Sequence, residues 1–159
     1  MSWLEGKLQL TPPYTLFPGE AGGVETNMAA ADGVVYVPVV DLGSMFSAPT
    51  VVIGTLDVLH AAGEMVALDV ATGKQLWATR LPQMPLGGAT VAGDLVFTTT
   101  FTGELVAISR ANGSIVWTTQ LPAGSNSTLA IAGDTLLAGA GISLAATQKP
   151  AVVAYRLQA

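Results

Sequence analysis

Gly63-Glu-Met-Val-Ala-Leu-Asp69 returns as Gly103-Glu-Leu-Val-Ala-Ile-Ser109, forty residues on (103 − 63 = 40). Two more segments keep the interval. Trp77-Ala-Thr-Arg-Leu-Pro82 returns as Trp117-Thr-Thr-Gln-Leu-Pro122 (117 − 77 = 40), and Ala92-Gly-Asp-Leu-Val-Phe97 as Ala132-Gly-Asp-Thr-Leu-Leu137 (132 − 92 = 40). An earlier copy, Ala31-Asp-Gly-Val-Val-Tyr36, precedes Ala92–Phe97 by 61 (92 − 31), which leaves 21 extra residues (61 − 40). Val153-Ala-Tyr-Arg156 matches Val106-Ala-Ile-Ser109 at offset 47, so about seven extra residues (47 − 40) fall there.

The clean repeat reads as four short strands: an inner strand A around Thr90–Ala92, B over Leu95–Thr100, C over Leu105–Ser109 and an outer strand D over Ser114–Leu121. Gly93-Asp94, Thr102-Gly103 and Asn112-Gly113 separate them. Asn-Gly between β-forming runs is a strong hairpin signal, since both residues tolerate positive φ. Thr72-Gly73 holds the matching place one repeat earlier. No long stretch carries apolar residues at helical spacing. A period near 40 with four strands per repeat predicts an all-β fold, a partial β-propeller of about three four-stranded blades.

Composition narrows the class. Half of the 159 residues are hydrophobic and 11% are charged. A membrane helix needs about 20 apolar residues in a row. Val34–Leu56 carries Pro38, Asp41, Gly43, Pro49 and Gly54, and Ser127–Ala146 carries Gly133, Asp134, Gly139 and Gly141. Breakers at that interval mark turns between buried strands, so no membrane span is expected. The net charge of −5 and the scattered Lys7, Lys74, Arg80, Arg110, Lys149 and Arg156 argue against nucleic acid. Without cysteine, a disulfide or thiolate metal site is impossible. Met1–Glu5 lacks the basic and apolar regions of a signal peptide.

Ala67-x-Asp69-x-x-Thr72-Gly73-x-x-x-Trp77 closely resembles the tryptophan-docking motif of pyrroloquinoline-quinone (PQQ) dependent alcohol dehydrogenases and their non-enzymatic relatives. The second copy, Ala107-x-Ser109-x-x-Asn112-Gly113-x-x-x-Trp117, departs at two positions, with Ser for Asp and Asn for Thr. The resemblance implies that each Trp packs flat between blades and that the motif's Asp and Thr fix the turn before strand D. It further implies a bacterial protein, periplasmic or secreted. Trp3 begins a further outer strand over residues 1–10, and the repeat at 126–159 stops after its C strand. Propellers of this type often let an N-terminal strand complete the C-terminal blade.

The expected layout is therefore an outer strand at 1–10, a blade at 24–81 with an insertion at 41–62, a blade at 86–121, and a blade at 126–159 lacking its own outer strand. Known propellers have about four to eight blades. Three blades are expected to belong to something larger: the C-terminal portion of a longer chain, or copies that assemble into an oligomer in solution. The partners expected are thus other copies or missing blades.

Strand order puts loops D–A and B–C on one face. The long segments Thr11–Thr26, Asp41–Ala62 and Gly141–Ala151 all belong to those loops, so that face is expected to meet a protein or small-molecule ligand. Aligned repeats place Glu25 over Leu86 and Asn126, and Asn27 over Gly88 and Thr128. Glu25, Asn27, Asn126, Ser127 and Thr128 are then candidates for one mouth of the central channel. In PQQ dehydrogenases, Glu, Asn and Asp at comparable depth hold Ca²⁺ and the quinone, so the resemblance makes Glu25, Asn27 and Asn126 cofactor candidates, with Glu25 and Asn27 as metal ligands. The plain alternatives are a solvated carboxylate for Glu25 and a turn amide for Asn27. Trp3, Trp77 and Trp117 all occupy the repeat position, leaving none to stack on a quinone, and the vicinal disulfide of several family members cannot form. This chain alone is expected to hold no cofactor, with PQQ and Ca²⁺ left to a full-length parent.

His60 is the sole histidine, which disfavours a Ser-His-Asp triad or a multi-His metal site. It reads as exposed or packed on its loop. Met45 and Met84 read as gap-filling core or loop anchors. Two functional readings stand: the C-terminal segment of a PQQ dehydrogenase-like protein forming part of the propeller wall, or a non-catalytic propeller that binds protein or peptide, as outer-membrane assembly lipoproteins of this repeat class do.

Overall fold

The computed structural model describes residues 10–48 and 54–156. Trp3, the rest of 1–9, and 157–159 lie outside them. Fourteen strands follow in order among the described residues: β1 Tyr14–Leu16, β2 Ala29–Ala31, β3 Val34–Asp41, β4 Ser44–Phe46, β5 Thr55–Leu56, β6 Ala62–Asp69, β7 Gln75–Leu81, β8 Thr90–Ala92, β9 Leu95–Thr99, β10 Glu104–Ser109, β11 Ile115–Gln120, β12 Ala130–Ala132, β13 Thr135–Ala140 and β14 Ala151–Arg156. No described helix is long and apolar enough to cross a membrane.

The strands form three antiparallel propeller blades. The first is ordered β2-β3-β6-β7, the second β8-β9-β10-β11 and the third β12-β13-β14. Register repeats from blade to blade: Ala67 lies opposite Trp77 and Ala107 opposite Trp117, with a bulge one residue beyond each. Side chains alternate across each sheet, so every inner strand has two faces to bury. Val96, Val106 and Ile108 face Tyr36, Met65 and Ala67 of the first blade. Leu105 faces Leu121, Leu129 and Ala138 on the third-blade side. Each joint is thus a thin two-sided core, and the middle blade is buried on both faces.

Pro38 sits inside β3, where a missing N–H would ordinarily break a ladder. Ala29 pairs with Tyr36, and the next contact on that side is the Val40 N–H donating to the Gly23 carbonyl at 2.8 Å. Pro38 falls in the gap between them, so no hydrogen bond is lost.

Two readings of the turns need correction. The turn before each outer strand has four residues, and only its glycine is left-handed. Gly113 (φ 76°) donates its N–H to the Ser109 carbonyl at 2.9 Å, while Asn112 stays at negative φ. Its side chain instead accepts from the Ser114 N–H at 3.0 Å and hydroxyl at 2.8 Å. Gly73 (φ 69°) makes the same bond to Asp69 at 2.8 Å. The Asp69 carboxylate there accepts from the Thr72 N–H at 2.8 Å and hydroxyl at 2.6 Å. Those bonds, the Thr72 hydroxyl foremost, hold its pKa below the ordinary carboxylate value.

The second correction concerns the insertion after Asp41, which is not a bare loop. It contributes β4 and β5, and β1 from the linker ahead of the first blade joins them in a separate sheet ordered β1-β4-β5. Tyr14 faces Phe46 across the pair, their rings stacked at 5.1 Å. Glu20 ties the sheet to the linker. Glu20 donates its N–H to the buried Ser44 hydroxyl at 3.0 Å, and its carboxylate accepts the Gly54 N–H at 3.0 and 3.3 Å.

Candidate functional site

The accessory sheet gives one face of the propeller its relief. Beside it lies a cavity of about 490 Å³ lined by Thr15, Phe17, Met45, Thr55, Leu56 and His60. Phe17 is 67% exposed, and Leu16, Met45, Leu56 and Leu59 are exposed around it. Met45 is therefore no core filler: it stands on β4 facing out, whereas Met84 is buried in the cluster of Val40, Leu42 and Ala61 below the sheet. The His60 ring meets the Asp57 carboxylate through Nδ1 at 2.9 Å, and both side chains are well exposed. An apolar hollow with a polar pair at its rim suits a ligand that is mostly hydrophobic and makes one or two hydrogen bonds.

The second place where function was expected is the inner mouth. Thr26 donates its hydroxyl to the Pro85 carbonyl at 3.4 Å, and the Asn27 carbonyl accepts the Ala89 N–H at 2.8 Å. A Cβ built on Gly88 would stand 3.1 Å from the Asn27 carbonyl oxygen and 3.1 Å from the Thr128 hydroxyl. The aligned positions 27, 88 and 128 thus meet where the three inner strands begin. Glu25, Asn27 and Asn126 are exposed there. Ser127 lends its carbonyl to the buried Thr99 hydroxyl at 3.5 Å, and that hydroxyl also meets Ser125 at 3.0 Å.

Ca²⁺ takes six to eight oxygen ligands. Glu25 and two exposed amides supply only part of such a shell, and no group of three or more acidic, histidine or cysteine side chains is gathered among the described residues. The donors present do not fit a complete Ca²⁺ and quinone site.

Sequence reading missed the inter-blade clamp of Arg110. Arg110 donates Nε to the Tyr36 hydroxyl at 2.9 Å, one terminal nitrogen to the Gly93 carbonyl at 2.6 Å and the other to the Asp32 carboxylate at 2.6 Å. Its guanidinium lies 5.6 Å from the Tyr36 ring centroid. The Asp32 contact, then the Tyr36 bond, raise its pKa further above the ordinary arginine value. Beneath it the Trp77 indole reaches the Arg110 carbonyl. Arg110 is the variable residue after Ser109 in the repeated motif, so the motif itself carried no signal for it.

Comparison with known proteins agrees with this architecture. The family profile described as outer membrane protein assembly factor BamB matches residues 61–156, more than half of the chain. No curated protein matches the chain. Among solved structures, a quinohemoprotein alcohol dehydrogenase of Pseudomonas putida superposes with a TM-score of 0.63 at 18% identity, covering 89% of this chain and 25% of that one. The quinohemoprotein alcohol dehydrogenase of Comamonas testosteroni gives 0.61 at 18% identity, over 81% and 25%. BamB of Moraxella catarrhalis gives 0.50 at 14% identity, over 88% and 46%. The chain spans about a quarter of the length of the two dehydrogenases. At these identities the superpositions speak for the fold, and the profile match speaks for the family: this chain belongs to the PQQ-repeat β-propeller family.

Proposed function

We propose that the chain is a wall segment of a PQQ-type propeller, forming the C-terminal part of a quinoprotein dehydrogenase-like protein and contributing its ligand-side loops. The observation that carries this reading is the β1-β4-β5 sheet. It zips the linker before the first blade and the long insertion within that blade into one platform on one face. Long loops pinned to a rigid sheet are where such scaffolds place binding groups. In this reading the Trp77 and Trp117 repeats dock successive blades, the remaining blades come from the rest of a parent or from other copies, and PQQ and Ca²⁺ belong to the completed ring. A periplasmic or secreted location goes with it.

The test is a titration with PQQ and Ca²⁺, following the absorbance of bound quinone, on the chain and on Glu25→Gln. A Ca²⁺-dependent change that Glu25→Gln weakens supports a ligand-side role for this mouth. No change in either protein favours the non-catalytic scaffold, or a segment whose cofactor site lies in the remaining blades.

A second reading is a non-catalytic scaffold for protein or peptide partners. The apolar hollow of Phe17, Met45 and Leu56 favours it. Binding of an extended apolar peptide, followed by fluorescence polarisation and lost in Phe17→Asp, supports that alternative.

A further inference from the structure

We propose that the exposed face of the β1-β4-β5 sheet docks a polypeptide segment through an arginine, whose guanidinium lies on the Phe17 ring and pairs with the Asp57 carboxylate. The inference rests on the scaffold reading and names the chemistry of the partner.

Register brings these groups together. Thr15 pairs with Met45, and Met45 with Thr55, across the three strands. Side chains alternate along a strand, so these three share one face. Two residues further on, just past the strand ends, the same face continues with Phe17, Gly43 and Asp57. A Cβ built on Gly43 would stand 2.6 Å from the Phe17 ring, so the ring lies over Gly43, in the direction of β5. One side of the hollow is thus an exposed aromatic ring, and its rim carries a carboxylate.

The joint between the first two blades shows the same arrangement filled from within the chain. The Arg110 guanidinium lies 5.6 Å from the Tyr36 ring centroid and meets the Asp32 carboxylate at 2.6 Å. At the hollow the ring and the carboxylate are present without an arginine. Arg80, Arg110 and Arg156 pair with Asp41, Asp32 and Asp134, and Asp57 meets only His60 among the described residues. A carboxylate offers about four acceptor positions, so the His60 contact leaves room for a second donor.

Charge selects the occupant. From Thr11 to Ala62, the span that builds the sheet, the sequence holds Glu20, Glu25, Asp32, Asp41 and Asp57 and no Lys or Arg. Such a face attracts a basic segment and repels an acidic one. Arginine suits it better than lysine, because a planar guanidinium stacks on a ring while pairing with a carboxylate. The hollow beside the exposed Met45 then takes an apolar side chain next to that arginine, so the partner is a polypeptide rather than a free cation.

The probe is a fluorescein-labelled peptide of alternating Leu and Arg with Ser-Gly ends. Fluorescence polarisation compares it with its citrulline counterpart, in which each guanidinium becomes a neutral urea. At low salt the arginine peptide is expected to bind at least about fivefold tighter, and the margin should close towards 1 M NaCl, where screening acts within ~3 Å. Asp57→Asn should abolish the margin. Phe17→Leu, which stays apolar but loses the ring face, should reduce it. Equal binding of the two peptides, or a margin that survives in Asp57→Asn, overturns the inference and leaves the scaffold reading standing. If neither peptide binds, the scaffold reading at this face fails with it. Arginine methyl ester competing as well as the peptide, sedimentation with phosphatidylcholine vesicles, or self-association lost in Phe17→Ser would assign the face to a small cation, a lipid surface or a second copy, and each overturns the inference.

Discussion

The indole N–H of Trp77 donates to the backbone carbonyl of Arg110 at 2.9 Å, across the joint between the first and second blades. The same ring covers the turn that ends at Gly113, where the Thr79 hydroxyl also donates to the Gly113 carbonyl. One aromatic side chain therefore closes an apolar joint and satisfies a turn carbonyl that packing would otherwise cut off from water. Trp77→Phe keeps much of the area and loses the hydrogen bond. It is expected to cost about 1–2 kcal/mol in urea unfolding, and an unchanged midpoint would show that the bond does not matter.

Gly113 and Gly73 share a left-handed backbone and differ in what surrounds them. A Cβ on Gly113 would lie 2.8 Å from two carbons of the Trp77 ring and from the Thr79 hydroxyl, whereas one on Gly73 meets no described residue. Gly73→Ala is expected to cost only the left-handed strain, about 1–2 kcal/mol. Gly113→Ala adds a clash inside the joint, so it should unfold at clearly lower denaturant. Equal losses would show that the Trp77 contact adds nothing.

Arg110 bridges Tyr36 and Asp32 of the first blade from the start of the second blade's outer turn, with its side chain largely buried. Its guanidinium donates to three acceptors through three different nitrogens, a pattern an ammonium cannot reproduce. Arg110→Lys should therefore lower the thermal midpoint, and Asp32→Asn should lower it less, because Asp32 is mostly exposed. A scanning calorimeter distinguishes the two, and the reverse order would refute the clamp.

The Asp69 carboxylate is held below its ordinary pKa by Thr72, so its contribution is present above the unfolded value near 3.8 and fades as pH falls through the lower folded value. Thr72→Ala should bring the Asp69 pKa back towards 3.8 and flatten the stability profile in that acid window. Carbon-detected NMR titration of Asp69 reads it directly, and an unmoved pKa in the variant would sink the assignment.

Glu20 holds the accessory sheet through Gly54 and Ser44. Glu20→Ala removes the carboxylate and leaves the backbone bond to Ser44. Amide exchange should quicken in β1, β4 and β5 while β9 and β10 keep their protection. Uniform quickening would mean that the sheet and the blades unfold as one unit.

The forty-residue repeat made the strands legible because each blade is built locally. Apolar alternation and a glycine turn every few residues suffice to place β8 to β11, and Trp77 and Trp117 fall on matching strands. The candidate site was less legible. Glu25, Asn27 and Asn126 were placed by alignment with the repeat, and the structure brings position 27 beside Gly88 and Thr128 while leaving all three candidates exposed. The loop face was legible, since Phe17 lies in Thr11–Thr26 and Met45 and Leu56 in Asp41–Ala62, but the apolar hollow they line was not, because no shared period ties the three.

Blade architecture, then, is written in the sequence, because strand pairing within a blade joins near neighbours through a period that repeats. What covers each blade was settled only in three dimensions. The partners of Arg110 lie 74 and 78 residues away in Tyr36 and Asp32, and β1 finds β4 across an entire intervening hairpin. Contacts of that kind depend on how much the chain between them twists and packs, and no local pattern of residue types encodes it.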